Sequence, residues 1–357
     1  MTAIRRRWSS LAWLCTLAFS TSFSCLGPAR LVTSPEEAKR VLSDPSWIRH
    51  PLNAFLREVF GVENVFTTND TEIFNASREV VKRGMEKGGL CSAASIAVKS
   101  ITRGQRQPLS RLTERVVFEV ATRAFLGAKH FDGIGIDDMF FDLFNYLWRH
   151  RRTTPPADTD KTSALQGKVQ AFYRANKAHL DSHGVWGTNL PPALRTPNSS
   201  NLLSIIIPIH LNTWVAVQRI LVRLLRDEAD RQRVQDEIAN VNLSCDASLD
   251  KFCELDRVIC DELRRNPPVK SLERENQETG ERVKLSVKDL NNKGAESWEE
   301  FGSGRGACPA RNYACSMIKT TVAYLLPRLS RSWEECQRPE PLAVNVCDAL
   351  VLFDGDL

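Results

Sequence analysis

The sequence has no CxxC pair, although it holds ten cysteines, at positions 15, 25, 91, 245, 253, 260, 308, 315, 336 and 347. No Cys/His set has zinc-finger spacing either, which excludes a structural zinc module. A chain of 357 residues needs no disulfide framework to hold a core, so most of these thiols read as small buried hydrophobes. A strong charge of one sign is also missing. The net charge is +5 and the pI about 8.7, which is no nucleic-acid signature without a clustered basic face. Internal repeats and low-complexity tracts are absent, which excludes a solenoid. After the first thirty residues no stretch of eighteen apolar residues runs uninterrupted, so the rest is expected to be soluble. What remains is 42% hydrophobic and 25% charged, ample for one large domain or two ordinary ones.

The N-terminus differs from the rest. Arg5, Arg6 and Arg7 precede "WSSLAWLCTLAFSTSFSCLG", an apolar run broken by serines and threonines. Residues 1–29 read as a membrane anchor, with a signal peptide as the alternative. Asn69, Asn75, Asn198 and Asn242 stand in N-x-S/T patterns, which keeps open a third reading, a secreted protein with disulfides.

Helical signals dominate residues 30–357. In "TSPEEAKRVLSD" (33–44) Ser34 is the expected N-cap and Pro35 the first helical residue, with two glutamates in the first turn. "LSRLTERVVFEVATRAFLG" (109–127) is amphipathic and closed by Gly127. "DDMFFDLFNYLWRHRR" (137–152) reads as a helix with a basic end. "RTTPPADTDKTS" (152–163) and "GVWGTNLPPALRTPNSSN" (184–201) read as loops. The run 202–236 is apolar on nearly all sides at first and then charged, which suits a helix through a large helical core, interrupted by Pro208. A helix is expected over 248–268, capped by Ser248 or Asp246 and stopped at Pro267, and another over 309–329, ended by Pro327. Convincing strands are few: "VKLSV" (283–287) and "ALVLF" (349–353). The expected fold class is mainly α with minor β.

The chemistry concentrates in "FGSGRGACPARNYA" (301–314). Pro309 sits at the first turn of a helix, so Cys308 is expected to feel the positive helix end, which favours the thiolate. Glycines at 302, 304 and 306 let backbone approach a flat object, and Phe301 offers an aromatic plate. A thiolate at a helix start behind a glycine-rich turn is what proximal ligation of haem iron needs; a buried cysteine beside a turn is the plain alternative.

"FGSGRGACPAR" resembles the haem-binding signature of cytochrome P-450 monooxygenases, a run of Phe, Gly, Arg, Cys and Gly at fixed spacing. Phe301, Gly304 and Cys308 are in place. Gly306 stands at the arginine position, with Arg305 one residue early, and Ala310 stands at the last glycine. The GRxxCPxR form resembles fungal-looking members. "CDELRRNPP" (260–268) resembles the family's ExxR helix, with Asp261 and Arg264 as the implied buried ion pair. Glu262 and Arg265 satisfy the same spacing one residue later, but the NPP that follows supports the Asp261 register. "TEIFNASRE" (71–79) looks like the WxxxR segment, with Phe74 as the aromatic and Arg78 as a haem-propionate contact; Arg274 is a second one. In the 202–236 run, Thr213 falls where the family has its oxygen-activating hydroxyl, with Asn212 in place of the acidic neighbour and His210 close by. Only 43 residues separate Arg264 from Cys308, fewer than the family usually has.

The resemblance covers residues 31–357 and implies a helical haem domain holding haem b (iron protoporphyrin IX) on Cys308. It also implies a monooxygenase that uses O2 and electrons from an NADPH-cytochrome reductase on an apolar small molecule, in lipid, terpenoid or other secondary metabolism. With the anchor, that places the chain at the endoplasmic reticulum with a cytosolic catalytic part. The departures from pattern imply the alternative, a haem-fold protein without monooxygenase activity.

Overall fold

The structure, a computed structural model, describes residues 29–49, 71–101, 106–131, 159–183, 200–269, 271–292, 308, 310–336 and 348–353. The helix expected at 137–152 lies outside these, as do residues 1–28 of the expected anchor. Among the described residues no helix is long and apolar enough to cross a membrane.

A small sheet forms first. Strand β1 (Arg30–Val32) leads into α1 (Pro35–Ser43), and the hydroxyl of Ser34 accepts a hydrogen bond from the Glu37 amide at 3.4 Å. Strand β2 (Trp47–Arg49) follows, and later come β4 (Ser271–Asn276), β5 (Arg282–Ser286) and the short α9 (Val287–Asn292). The strand order is β1-β5-β4-β2, with β1 parallel to β5 and the other pairs antiparallel. The β4–β5 turn is locally dictated: Asn276 Oδ1 accepts the amides of Glu278 and Thr279, and Gly280 takes the left-handed φ of 68°. Val32, Val41, Val283, Leu285 and Leu290 bury between this sheet and its helices.

The larger layer is helical. It contains α2 (Thr71–Lys87), α3 (Leu90–Lys99), α4 (Leu109–Leu126), α5 (Thr159–His183), α6 (Ser200–Arg226), α7 (Glu228–Asn240), α8 (Glu254–Arg265) and α10 (Arg311–Leu325). Helix α6 is the axis, packed against α4, α5, α7, α8 and α10. Trp214 to Gln218 and Ile220 to Val222 are buried without a gap, as expected of a helix that is apolar on nearly every side. Contrary to the expected interruption, the helix runs unbroken through Pro208. A proline removes one donor, and the long helical run that follows it through Arg226 carries the helix on. The break comes at Asp227, whose carboxylate caps α7 by accepting the Asp230 amide at 2.9 Å.

Helix α4 closes as expected at Gly127, with φ 69°. Helices α5 and α6 begin at Thr159 and Ser200, so the ends of both expected loops are helical instead. Helix α8 starts at Glu254, not near 248. The residues before it form a short 3-10 turn, Asp246–Lys251, and the Asp246 carboxylate accepts the amides of Leu90 and Cys91 at 3.0 and 2.9 Å, capping α3. Helix α8 is capped by Glu237 of α7, which accepts the amides of Cys253, Glu254 and Leu255 at 2.6, 2.9 and 3.0 Å. Both helix starts thus draw their acceptor from distant sequence.

Helix α10 passes through a 3-10 turn (Leu326–Arg328) into β6 (Leu329–Cys336), which pairs with β7 (Asp348–Phe353). On the other side of β7 lies β3 (Arg106–Pro108), directly before α4. This antiparallel sheet ties the start of α4 to the end of α10. The described residues hold seven short strands, against the two legible in sequence.

Candidate functional site

Cys308 lies three residues ahead of α10, half-buried. Ala310 is the N-cap residue and makes no side-chain cap hydrogen bond. Burial pushes the Cys308 thiol up, against a smaller lowering by the backbone of Ala310. This corrects the expectation of a lowered thiol: loss of water outweighs the helix start. Behind it the helix is anchored through Tyr313, Met317, Ile318 and Val322, all buried. Phe301, Gly304, Arg305 and Gly306 lie outside the described residues.

Thr213 is buried on α6, and its hydroxyl donates to the carbonyl of Ile209 at 2.7 Å. That commits the proton to the backbone and leaves the oxygen as an acceptor. Asn212 beside it is half-buried. His210 is buried with its ring edge-on to Phe118, centroids 5.6 Å apart. Burial lowers it to about 3, so it is neutral near pH 7 and no imidazolium acid.

Arg274 sits half-buried in β4. Burial lowers its guanidinium to about 10, and its Nη1 donates to the Glu273 carbonyl at 2.8 Å. Arg78 is on the exposed face of α2.

The expected ion pair on α8 takes another form. Asp261 is held by Arg223 of α6 at 2.6 Å and by Arg265 at 2.9 Å, while Arg264 faces solvent. The buried carboxylate is Glu262, raised by burial and bonded by Asn266 Nδ2 at 2.9 Å. A competing partner explains the change: Arg223 reaches both Asp261 and, at 3.1 Å, the buried Asp230. One turn back on α6, Arg219 donates to the carbonyls of Asn266 and Pro267, closing the end of α8. Sequence reading missed both arginines; their i,i+4 spacing on an otherwise apolar helix was the available signal. Among the described residues no three His, Cys, Asp or Glu side chains group to hold a metal ion.

The backbone course decides the architecture. The chain superposes on the crystal structure of the cytochrome P450DA heme domain with a TM-score of 0.66 at 13% identity, covering 90% of this chain and 87% of that one. A mutant of the same heme domain gives a TM-score of 0.67 over the same shares. The chain has the fold of a cytochrome P-450 haem domain. No family model matches the sequence, and no curated protein does.

Proposed function

We propose that the chain is a haem-thiolate monooxygenase that inserts one atom of O2 into an apolar small molecule. The observation that carries this reading is the single cysteine, Cys308, set half-buried immediately before α10 in a P-450 fold. Two features support haem b in this reading: a soft sulfur donor for iron on Cys308, and a half-buried arginine, Arg274, that would meet a propionate. Cys308 would hold the iron, and Arg274 and Arg78 would meet the propionates, with Phe301, Gly304 and Arg305 in the loop beside it. When bound, the haem supplies the oxygen chemistry, and the chain supplies ligand, orientation and electrostatics.

In that reading Thr213 accepts a hydrogen bond at the buried face of α6 and holds a proton source in place, because its own proton goes to Ile209. Asn212 orients by hydrogen bonding and donates no titratable proton. Neutral His210 keeps charge out of the same wall. Asp261 serves as a brace through Arg223. Electrons come from an NADPH-cytochrome reductase, with the N-terminal segment anchoring the chain at the endoplasmic reticulum membrane and a lipid, terpenoid or other secondary metabolite as substrate.

The test is spectroscopic. The full chain is expressed with haem precursor, reduced and exposed to carbon monoxide. A red-shifted Soret band that disappears in Cys308→Ala supports the reading; a chain that retains no haem overturns it. A second reading, a haem-fold protein without turnover, is favoured by the diversion of Asp261 to Arg223 and Arg265. It is distinguished by haem retention without O2-dependent NADPH consumption in the presence of a reductase.

A further inference from the structure

Two cysteines outside this site, one on α8 and one on α10, lie within electrostatic reach of each other. The geometry starts from an ion pair: Asp256 Oδ2 on α8 lies 2.7 Å from Lys319 Nζ on α10. The same Nζ donates back to the Leu249 carbonyl at 3.3 Å. A helix brings residues four apart onto one face. One turn forward from Asp256 on α8 is Cys260, and one turn back from Lys319 on α10 is Cys315. Contacts rise along one element as they fall along the other: Leu249 and Asp256 meet Lys319, while Asp256 and Cys260 both lie within electrostatic reach of Cys315. The helices are antiparallel here, so the step that leads from Asp256 to Cys260 also leads from Lys319 to Cys315. Helices α8 and α10 pack with Cα atoms within 8 Å of each other, and a disulfide asks for about 4.4–6.8 Å between its own two Cα atoms. Cys260 is exposed and Cys315 half-buried, and both are thiols in the structure.

We propose that Cys260 and Cys315 form a reversible disulfide that staples α8 to α10, a modification site separate from Cys308. A small-molecule disulfide such as oxidised glutathione serves as oxidant. The Cys260 thiolate attacks one glutathione sulfur; the glutathione S–S bond breaks, and one glutathione thiolate leaves. Cys315 then gives its proton to solvent and attacks the Cys260 sulfur, releasing the second glutathione. Two protein thiols lose two electrons, and one glutathione disulfide becomes two thiols. The order follows from access. Cys260 meets solvent, whereas burial first and Cys260 second push the Cys315 thiol up to about 11, so it reacts only once the partner sulfur is beside it. The staple acts on the helix that follows Cys308 and does not depend on haem.

The competing thiols make the test strict. Cys245 and Cys253 are exposed, and Cys245 is lowered by hydrogen bonds from Ser248. The folded full chain is incubated with oxidised glutathione, remaining thiols are alkylated, and the non-reducing digest is read by mass spectrometry. Expected is a peptide pair joining Cys260 to Cys315, lost on reduction and in Cys260→Ser or Cys315→Ser, but kept in Cys245→Ser and Cys253→Ser. The oxidised wild type should also melt about 5 °C above the reduced form, with no such difference in Cys260→Ser. Cross-links that join Cys260 to Cys245 or Cys253, or separate glutathione adducts on Cys260 and Cys315, overturn the proposal. The wild-type digest decides this even where a serine variant fails to fold.

Discussion

The ring of Phe125 stands edge-on to that of Tyr313, with centroids 5.7 Å apart and planes at 70°. Phe125 lies near the end of α4 and Tyr313 near the start of α10, so this contact positions the first turn behind Cys308. On its other side Phe125 meets α2 at Gly84, where an added Cβ would lie 2.0 Å from the ring.

Gly84→Ala should therefore destabilise the chain although alanine is the better helix former. Propensity offers about 1 kcal/mol, whereas overpacking a buried contact costs about 1–3 kcal/mol. The expected result is a lower urea midpoint with unchanged slope, restored in Gly84→Ala combined with Phe125→Leu. A raised midpoint in the single variant would show that the ring yields freely.

His210 sets an acid limit. Burial holds it at about 3, while the unfolded chain binds the proton near pH 6.5. The folded value is depressed, so its contribution is complete above about pH 6.5 and is lost as pH falls toward about 3. The full span is on the order of 4 kcal/mol. His210→Phe keeps an aromatic ring beside Phe118 and removes this term. Its stability advantage over wild type should widen between about pH 6.5 and pH 4 in urea titrations; parallel curves would reject the assignment.

Asp230 acts in a lower window. Burial raises its carboxyl, but hydrogen bonds from Arg257 at 2.7 Å, from Arg233 and from Arg223 at 3.1 Å outweigh that and hold it at about 2. Its stabilisation is present above an unfolded value of about 3.9 and is lost as pH falls through about 2. The term is about 2 kcal/mol before discounting for solvent around Arg233 and Arg257. Asp230→Asn should cost a similar amount near neutral pH and flatten the loss below pH ~4. Equal neutral-pH midpoints for the two proteins would count against it.

Arg274 separates the haem reading from plain stability. Its buried guanidinium is costly to keep charged, so Arg274→Leu should leave the haem-free chain as stable as wild type or more so. With haem present the variant should bind it about tenfold more weakly, the value of one charge-assisted hydrogen bond of ~1.5 kcal/mol. Haem retention equal to wild type would remove Arg274 from the proposed site.

Features written within a few residues were legible. Ser34 and Pro35 announce α1, Gly127 ends α4, and the apolar run of α6 marks the core. The β5 and β7 strands showed through their aliphatic runs, but β1, β2 and β3 are three residues each, too short to carry a period. Features set by distant partners were not legible. The start of α8 depends on Glu237, and the fate of Asp261 depends on Arg223, 38 residues earlier. The spacing offered Asp261 and Arg264 as a pair, yet spacing does not say which cation reaches Asp261, and Arg223 and Arg265 do.

The carboxylates of Glu237 and Asp246 flank one short connection, and between them they hold the opening turns of α8 and α3. A fluctuation that lifts this connection releases both helix starts at once. In hydrogen–deuterium exchange the amides of Leu90, Cys91, Glu254 and Leu255 should then open together, with one shared free energy, despite their separation along the chain. Two capping side chains thus make a clasp, and the clasp makes one cooperative unit out of two helices far apart in the chain.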